Sequence, residues 1–538
     1  MKFIKNFSIK GGKERQIPEY IFITLSIFFA LYLYHSTFEL YLSTNPIYFT
    51  VSKHLSLYSD LNSPWFYDKQ LSINNLGVTH YIYSVLFRIV PSHILKLWEA
   101  VPFLLITTSL ILQYLLASKV LNSIVLRILF PLASLFYLEP WWIYQTQSPR
   151  FFGFFIIGTV LTIVLINKSF LDLTKKNIFL LSLLWSILFY THKLLALQYI
   201  LMFFIYTALC ITRENYKIIV KKKIFFYFIC TMLSFPLVFL TIRELLVNKL
   251  TNPYYGNYQI WTTNFFDIIT LANFNMLYFY GGNFVKFTTL AALILGIFLR
   301  KNLLLKSASI VIIFSIFTPI GILISKLITP GVLIETFIAG SAFPVLLLIF
   351  YFFDKIHIRE KINYLVQTCV VLFLFYTPII KFYKFASNNH KNAKPEVLKE
   401  NLKKDILNIK GITILSDHKT STYIPMISDK MVLIADRLNI LETPQNNLKQ
   451  FNKFFTTDFK YLDLIDLKNI FYCENIVLIK KTINNLHKSS MDDNFFLRYG
   501  LKYPETYETL LVKYKKISEK NSNIQVIVKN DYSLVKID

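Results

Sequence analysis

The residues best suited to chemistry fall into two groups, one acidic and one basic. The acidic group lies after the first long apolar segment: Lys53-His54, then SDLNSPWFYDKQ with Asp60 and Asp68, then NNLGVTHYIY with His80. A carboxylate at a membrane surface can take the proton of an acceptor hydroxyl as a general base, or ligate a divalent cation such as Mg or Mn. Partial burial raises its pKa, which favours base work near neutral pH. Helix capping or solvation also explains an isolated Asp; the case for Asp60 and Asp68 is their company of histidines and aromatics in one stretch. The basic group is Arg150 (QSPRFFGFF), His192-Lys193 (YTHKLLAL) and Arg243 (TIREL), with Lys286 and Lys326. Lys and Arg are the usual partners of phosphate oxygens. Long basic side chains also snorkel to headgroups, the simpler account of Lys286 and Lys326. Glu139, in Glu139-Pro140-Trp141-Trp142, needs a basic partner at its segment end, and Arg150 is a candidate. The tryptophans there and Trp261 fit an interfacial aromatic belt.

These groups are positioned by about eleven apolar segments, each near the roughly 20 residues that a spanning helix needs. They lie near 20–42, 99–121, 128–146, 150–167, 177–191, 194–212, 224–246, 283–299, 307–327, 335–353 and 363–382. Lys2, Lys5, Lys10, Lys13 and Arg15 precede the first, and the basic residues recur in every second loop, as at Lys175/Lys176 and Lys221/Lys222/Lys223. Loops rich in Lys and Arg stay in the cytoplasm. The N-terminus is therefore expected inside, and an odd number of crossings leaves the tail outside. The acidic group then falls in an outward loop, 43–98, and the basic group at outward segment ends, where ionisable groups are costly unless paired or used. The stretch Thr79–Val90 is too short to span and reads as an amphipathic helix in the outer interface.

Composition agrees with this layout. A chain of 538 residues that is 54% hydrophobic exceeds what one soluble core requires. The net charge of +25 concentrates in the membrane half, where orientation accounts for it. No soluble surface interleaves basic and aromatic residues, so nucleic acid is not an expected partner. Cys210, Cys230, Cys369 and Cys473 form neither a disulfide framework nor a metal-type spacing. The first apolar segment is too long for a cleaved leader and reads as a retained anchor.

Residues 1–384 thus read as a membrane domain and 385–538 as a soluble extracytoplasmic one. In the tail, strands are expected at Ile412–Leu415, Met431–Ala435 and 475–481. Helices are expected within 444–471, and a terminal hairpin turns at Lys529-Asn530-Asp531. Strands interspersed with helices imply an α/β domain. Asp417, His418, Thr420, Ser421 and Asp436-Arg437 follow strands, where such domains bind ligands; ordinary turn chemistry is the simpler account. The fold class is a polytopic α-helical membrane bundle with a C-terminal α/β domain.

One long span, then an outward acidic loop leading into a G-x-x-x-Y helix (Gly77 to Tyr81), resembles the GT-C superfamily. Those integral-membrane glycosyltransferases, protein O-mannosyltransferase and aminoarabinose-transferase relatives among them, use polyprenyl-phosphate-linked sugars. The tail stretch 414–434 is similar to a segment found after the membrane domain in bacterial and archaeal members. The resemblance implies a sugar transferred at the outer face of a bacterial inner membrane to a cell-envelope glycan, lipid or protein. It implies Asp60 as the catalytic carboxylate, a general base, with Asp68 and His54 behind it. Arg150 and Lys193, then His192 and Arg243, would hold the donor phosphate, with Glu139 and His80 in support. This chain lacks the adjacent paired acids that are commonest in that loop. Two other classes compete: an O-antigen polymerase, ligase or lipid-linked sugar flippase, and a non-catalytic scaffold with a binding tail. Polymerases and ligases carry their large outward loop late rather than first, and a flippase needs mid-span charges that are scarce here. If Asp60, Arg150 and Lys193 border one cavity open to lipid, the transferase reading gains most.

Overall fold

The computed structural model describes residues 24, 27, 28, 46–58, 77–136, 151–167, 172–251, 294, 296, 304–307, 310, 346–355, 400–434, 445–488 and 501–538. In chain order the membrane half gives α1 (Pro46–Leu57), α2 (Val78–Ile89), α3 (Ile94–Val120) and α4 (Ile124–Phe136). A π-helical turn (Phe152–Gly158) then runs into α5 (Thr159–Asn167), followed by α6 (Lys175–Thr191), α7 (Lys193–Leu209) and α8 (Tyr216–Thr251). The tail gives α9 (Glu400–Asn408), β1 (Thr413–Ser416), α10 (His418–Ile427), β2 (Met431–Val432), α11 (Gln445–Phe455) and α12 (Tyr461–Phe471). It continues with β3 (Cys473–Ile479), α13 (Lys480–Lys488), α14 (Tyr507–Ser518), β4 (Ile524–Val528) and β5 (Tyr532–Ile537).

The chain separates into two compact units. One comprises Met1–Phe38, Trp98–Phe235 and Thr262–Lys391; the other comprises Glu39–Leu97, Pro236–Trp261 and Asn392–Asp538. Lys96–Val120 of α3 and Tyr216–Leu240 of α8, most of each in the first unit, are long and apolar enough to cross a membrane. Along α8, Ile224, Phe228, Met232 and Phe235 recur at helical spacing and are all more than half exposed, an apolar stripe suited to lipid contact. The helices are joined by polar bonds of the kind that hold helices together in lipid. Trp185 Nε1 donates to the Ala196 carbonyl (2.8 Å), tying α6 to α7. The Tyr190 hydroxyl donates to the Leu233 carbonyl (2.9 Å), tying α6 to α8.

A buried carboxylate fixes the turn before α4. Asp354, 6% exposed, accepts from the Asn122 amide (2.9 Å) and the Ser123 amide (2.7 Å). These are orphan donors at a helix start, where negative charge is also favoured by the helix dipole. Phe130 meets Phe350 edge-on at 5.5 Å beside it.

In the second unit a five-stranded sheet has the order β2-β1-β3-β5-β4. β1 pairs parallel with β2 and β3, while β5 pairs antiparallel with β3 and β4. The parallel strands are nearly continuous apolar runs, as burial on both faces requires. Leu415, Ile476 and Leu478 are fully buried with Phe451, Phe454, Leu464 and Tyr514 from the covering helices. The same unit holds the hairpin of α1 and α2, whose Phe49 and Phe87 rings lie 5.5 Å apart. α10 packs on α1, with Lys53 Nζ 3.3 Å from Asp429 Oδ1. Sequence reading expected a turn-rich stretch where α10 stands; its run HKTSTYIPMI has low helix propensity, but eight of its ten residues are buried, so packing decides.

Replacing Asp354 by Ala is expected to leave two backbone donors without their acceptor. The cost should be about 1–3 kcal/mol, read as a lower thermal midpoint of the detergent-purified protein. Asp354→Asn, which keeps one acceptor oxygen, should lose less; equal midpoints for all three proteins would show that water replaces the carboxylate.

Candidate active site

The acidic loop is framed by α1 and α2. At the end of α1 the free carbonyls are covered by one arginine: Arg88 Nη2 donates to Leu55 O (2.8 Å) and Arg88 Nε to Ser56 O (3.2 Å). A cation there also complements the negative helix end. His54, in the same last turn, lies half-buried against Tyr58 with ring centroids 5.0 Å apart. At the start of α2 the Gly77 amide donates to His80 Nδ1 (2.9 Å). His80 is 1% exposed and beside the Tyr48 ring at 5.4 Å. Burial pushes its pKa down to about 4, against a smaller raising effect of the Gly77 backbone. His80 is therefore neutral at physiological pH and acts as an acceptor cap. Side chains of α2 thus pin both ends of the connection that carries Asp60 and Asp68. That connection, 59–76, lies outside the described residues, as do Glu139 and Arg150.

Of the basic group, His192 and Lys193 are described in the first unit. The π-helical turn and α5 pack against α6, and the turn also meets α7. A Cβ placed on Gly153 would lie 3.2 Å from a Leu188 methyl, 3.4 Å from Thr191 Cγ2 and 3.5 Å from a Leu195 methyl. One placed on Gly158 would lie 2.5 Å from Tyr199 Oη. Arg150 directly precedes Phe151 in sequence, and Lys193 is the first residue of α7. His192 is extended between α6 and α7 (φ −153°, ψ 99°) and caps α7, its amide donating to Leu188 O at 2.7 Å. Lys193 is half-buried. A positive helix end with a basic residue attached is a recurrent way to hold an anion such as phosphate. Arg243 is exposed on the part of α8 that belongs to the tail unit.

In the tail, Asp417 Oδ1 accepts from the Thr420 amide (2.9 Å) and caps α10. Ser421 Oγ donates to Ser416 O (3.2 Å), and Ser416 Oγ to Val477 O (3.0 Å). Turn and cap chemistry accounts for these residues. Asp436-Arg437 lie outside the described residues. Among the described residues no three His, Cys, Asp or Glu converge as metal ligands, so the divalent-cation expectation rests on Asp60 and Asp68. The glycines at 153 and 158 and the clamp at Arg88 were not picked out from sequence. Two glycines five residues apart just after a basic segment end are the only sequence signal for the first.

Against known proteins, no family model matches the chain, and no curated protein matches its sequence. Its structure is similar to solved membrane glycosyltransferases. The archaeal oligosaccharyltransferase AglB from Archaeoglobus fulgidus, in complex with an inhibitory peptide and a dolichol-phosphate, superposes with a TM-score of 0.55 at 10% identity, over 87% of this chain and 67% of that one. A structure of the Archaeoglobus fulgidus oligosaccharyltransferase with Zn and sulfate gives 0.50 at 10% identity, over 85% and 65%. The arabinofuranosyltransferase AftD from Mycobacteria gives 0.58 at 11% identity, over 96% of this chain. The chain spans 40% of the length of that protein and about two-thirds of the others. At this identity the likeness is one of fold, shared with both an oligosaccharyltransferase and an arabinofuranosyltransferase structure.

Protonation of His80 is expected to weaken this unit in acid. The folded pKa is near 4, against 6.5 for a free His, so between those values the unfolded chain binds a proton that the folded one refuses. Stability is full above about pH 6.5 and falls as pH drops toward about 4, by up to roughly 3 kcal/mol. Amide exchange in α2 followed across that window should show it, and His80→Gln should flatten the dependence; an unchanged slope would assign it to other groups.

Proposed function

We propose that the protein is an integral-membrane glycosyltransferase that moves a sugar from a polyprenyl-phosphate donor to an extracytoplasmic acceptor. The observation that carries this reading is the likeness of the fold to solved membrane glycosyltransferases, with His192-Lys193 at the start of α7. In this reading about eleven spans place the N-terminus in the cytoplasm and the 385–538 domain outside a bacterial inner membrane. The acceptor is a cell-envelope glycan, lipid or protein.

The chemistry follows from the residues. Asp60 takes the proton of the acceptor hydroxyl as its oxygen bonds to the anomeric carbon. The bond from that carbon to the phosphate oxygen breaks, and its electron pair stays on the lipid phosphate. Negative charge therefore grows on the leaving group. Arg150 and Lys193, aided by the amides at the start of α7 and by His192 and Arg243, stabilise that charge more than the ground state. Asp68 and His54 are the reserve candidates for the base, with Glu139 orienting Arg150. A divalent cation, if used, would be held by Asp60 and Asp68. The prenyl chain lies in membrane lipid.

Lys193→Ala and Arg150→Ala should each weaken binding of a short-chain polyprenyl monophosphate about tenfold or more, the weight of a lost charge-assisted hydrogen bond. Lys286→Ala should do little, since Lys286 is read as snorkelling. Isothermal titration of the purified, folded proteins measures this, and equal effects of all three would return these charges to snorkelling. Separately, Asp60→Asn should lower transfer about 10²- to 10⁴-fold with monophosphate binding intact. Normal envelope glycosylation in cells carrying only that variant would remove Asp60 and promote Asp68 or His54.

A further inference from the structure

We propose that one face of α8 binds an anionic phospholipid, with Lys217 and Lys221 at its phosphate and Ile224, Phe228, Met232 and Phe235 along its acyl chains. The proposal rests on α8 crossing a membrane, for which it is long and apolar enough, and is independent of the transfer reaction. An α-helix turns about 100° per residue, which places these six positions within a sector of about 80° on one side of the helix. Both lysines are exposed, and the four apolar residues are each more than half exposed. Within Tyr216–Leu240, 22% of the apolar window is buried, against 50% for Lys96–Val120. This helix therefore offers most of its surface to lipid.

Charge selects the headgroup. Arg213, Lys217, Lys221, Lys222 and Lys223 all lie within ten residues of Glu214, which is the only acid between Asp172 and Glu244. Basic clusters at the end of a span attract anionic headgroups. The cations of α8 do not share one face. Lys223 turns to α7, its Nζ 4.4 Å from the centroid of the Phe204 ring, and Lys222 is half-buried. Lys217 and Lys221 stand on the face that continues into the apolar stripe. Orientation of a span needs loop charge alone and does not require that coincidence. The dimensions also agree. At 1.5 Å per residue, Ile224 to Phe235 covers about 16 Å, close to the roughly 15 Å of hydrocarbon in one leaflet. Lys217 and Lys221 lie about 6 Å apart along the axis, similar to the roughly 5–8 Å depth of a headgroup layer. Their ammonium groups donate to phosphate oxygens. A zwitterionic headgroup brings its own cation into the same space, so a net negative one such as phosphatidylglycerol is favoured.

The test uses full-length protein in nanodiscs of equal parts phosphatidylglycerol and phosphatidylcholine. A photocrosslinking residue replaces Ile224, and mass spectrometry identifies what it captures. Phosphatidylglycerol is expected to exceed phosphatidylcholine about fivefold or more, the weight of one lysine near a charged surface. Lys217→Gln with Lys221→Gln should bring the ratio to within about twofold of unity, while Arg213, Lys222 and Lys223 remain to orient the span. Lys222→Gln with Lys223→Gln makes the same change of charge on other faces and should keep the ratio at about fivefold. Equal losses in the two double variants would reduce the site to diffuse positive charge and overturn the proposal. An even ratio with all lysines intact would do the same. Capture of protein instead of lipid at position 224 would show the stripe covered by another helix, and the proposal would fall.

Discussion

The approach of Gly158 to Tyr199 sets how closely the π-helical turn packs on α7. It is a backbone-to-ring contact in a buried seam, where tightly packed interiors do not deform gradually. Helix starts carry unsatisfied amide donors and a partial positive charge. At the start of α7, His192 and Lys193 add to that charge. Trp185 bonded to Ala196, and Tyr190 bonded to Leu233, hold the α6–α7 hairpin that forms the other wall.

A different device serves the acidic loop. Its ends are tied by two side chains of one helix, Arg88 on the last carbonyls of α1 and His80 on the first amide of α2. Tying both ends reduces the freedom of the chain between them, whatever its own sequence, because loop entropy is set by how its ends are held. His80 does this only while neutral, which its burial ensures. The tail sheet adds a second support, since α10 packs on α1. The exposed pair of Lys53 and Asp429 contributes little by itself; the buried packing of the fully covered α10 carries the attachment.

Much of this was legible in the chain. Apolar lengths located α3, α6 and α7 within about five residues and fell inside the longer α8 (Tyr216–Thr251), and short apolar runs located β1, β3 and the terminal hairpin. What sequence did not show was set by tertiary contacts. α10 forms from poor helix formers because the sheet and α1 bury it. Asp417, Thr420 and Ser421 looked like ligand-binding residues, but their polar groups are turned inward onto backbone amides and carbonyls. The π-helical turn has no signature of its own, since FGFFIIG reads as an ordinary apolar helix. Arg150 and Lys193 are linked by residue type and segment position. Asp60 and Asp68 keep the standing that the loop's composition and the GT-C resemblance give them.

The placement of the basic residues also has an energetic logic. A cation in the middle of a span must be stripped of water, and that penalty is large even after snorkelling and local adjustment. At the first residue of a helix the side chain reaches toward the interface while its backbone amide points the same way. The charge then stays partly hydrated until an anion arrives, and the helix adds its own field without a desolvated side chain. Leaving-group charge is best stabilised by dipoles that need not reorganise as the bond breaks. Backbone amides at helix starts meet that requirement because the helices themselves hold them. The half-buried Lys193 at the head of α7, with His192 capping the same turn, combines both sources of positive potential at the position where each is least costly to fold.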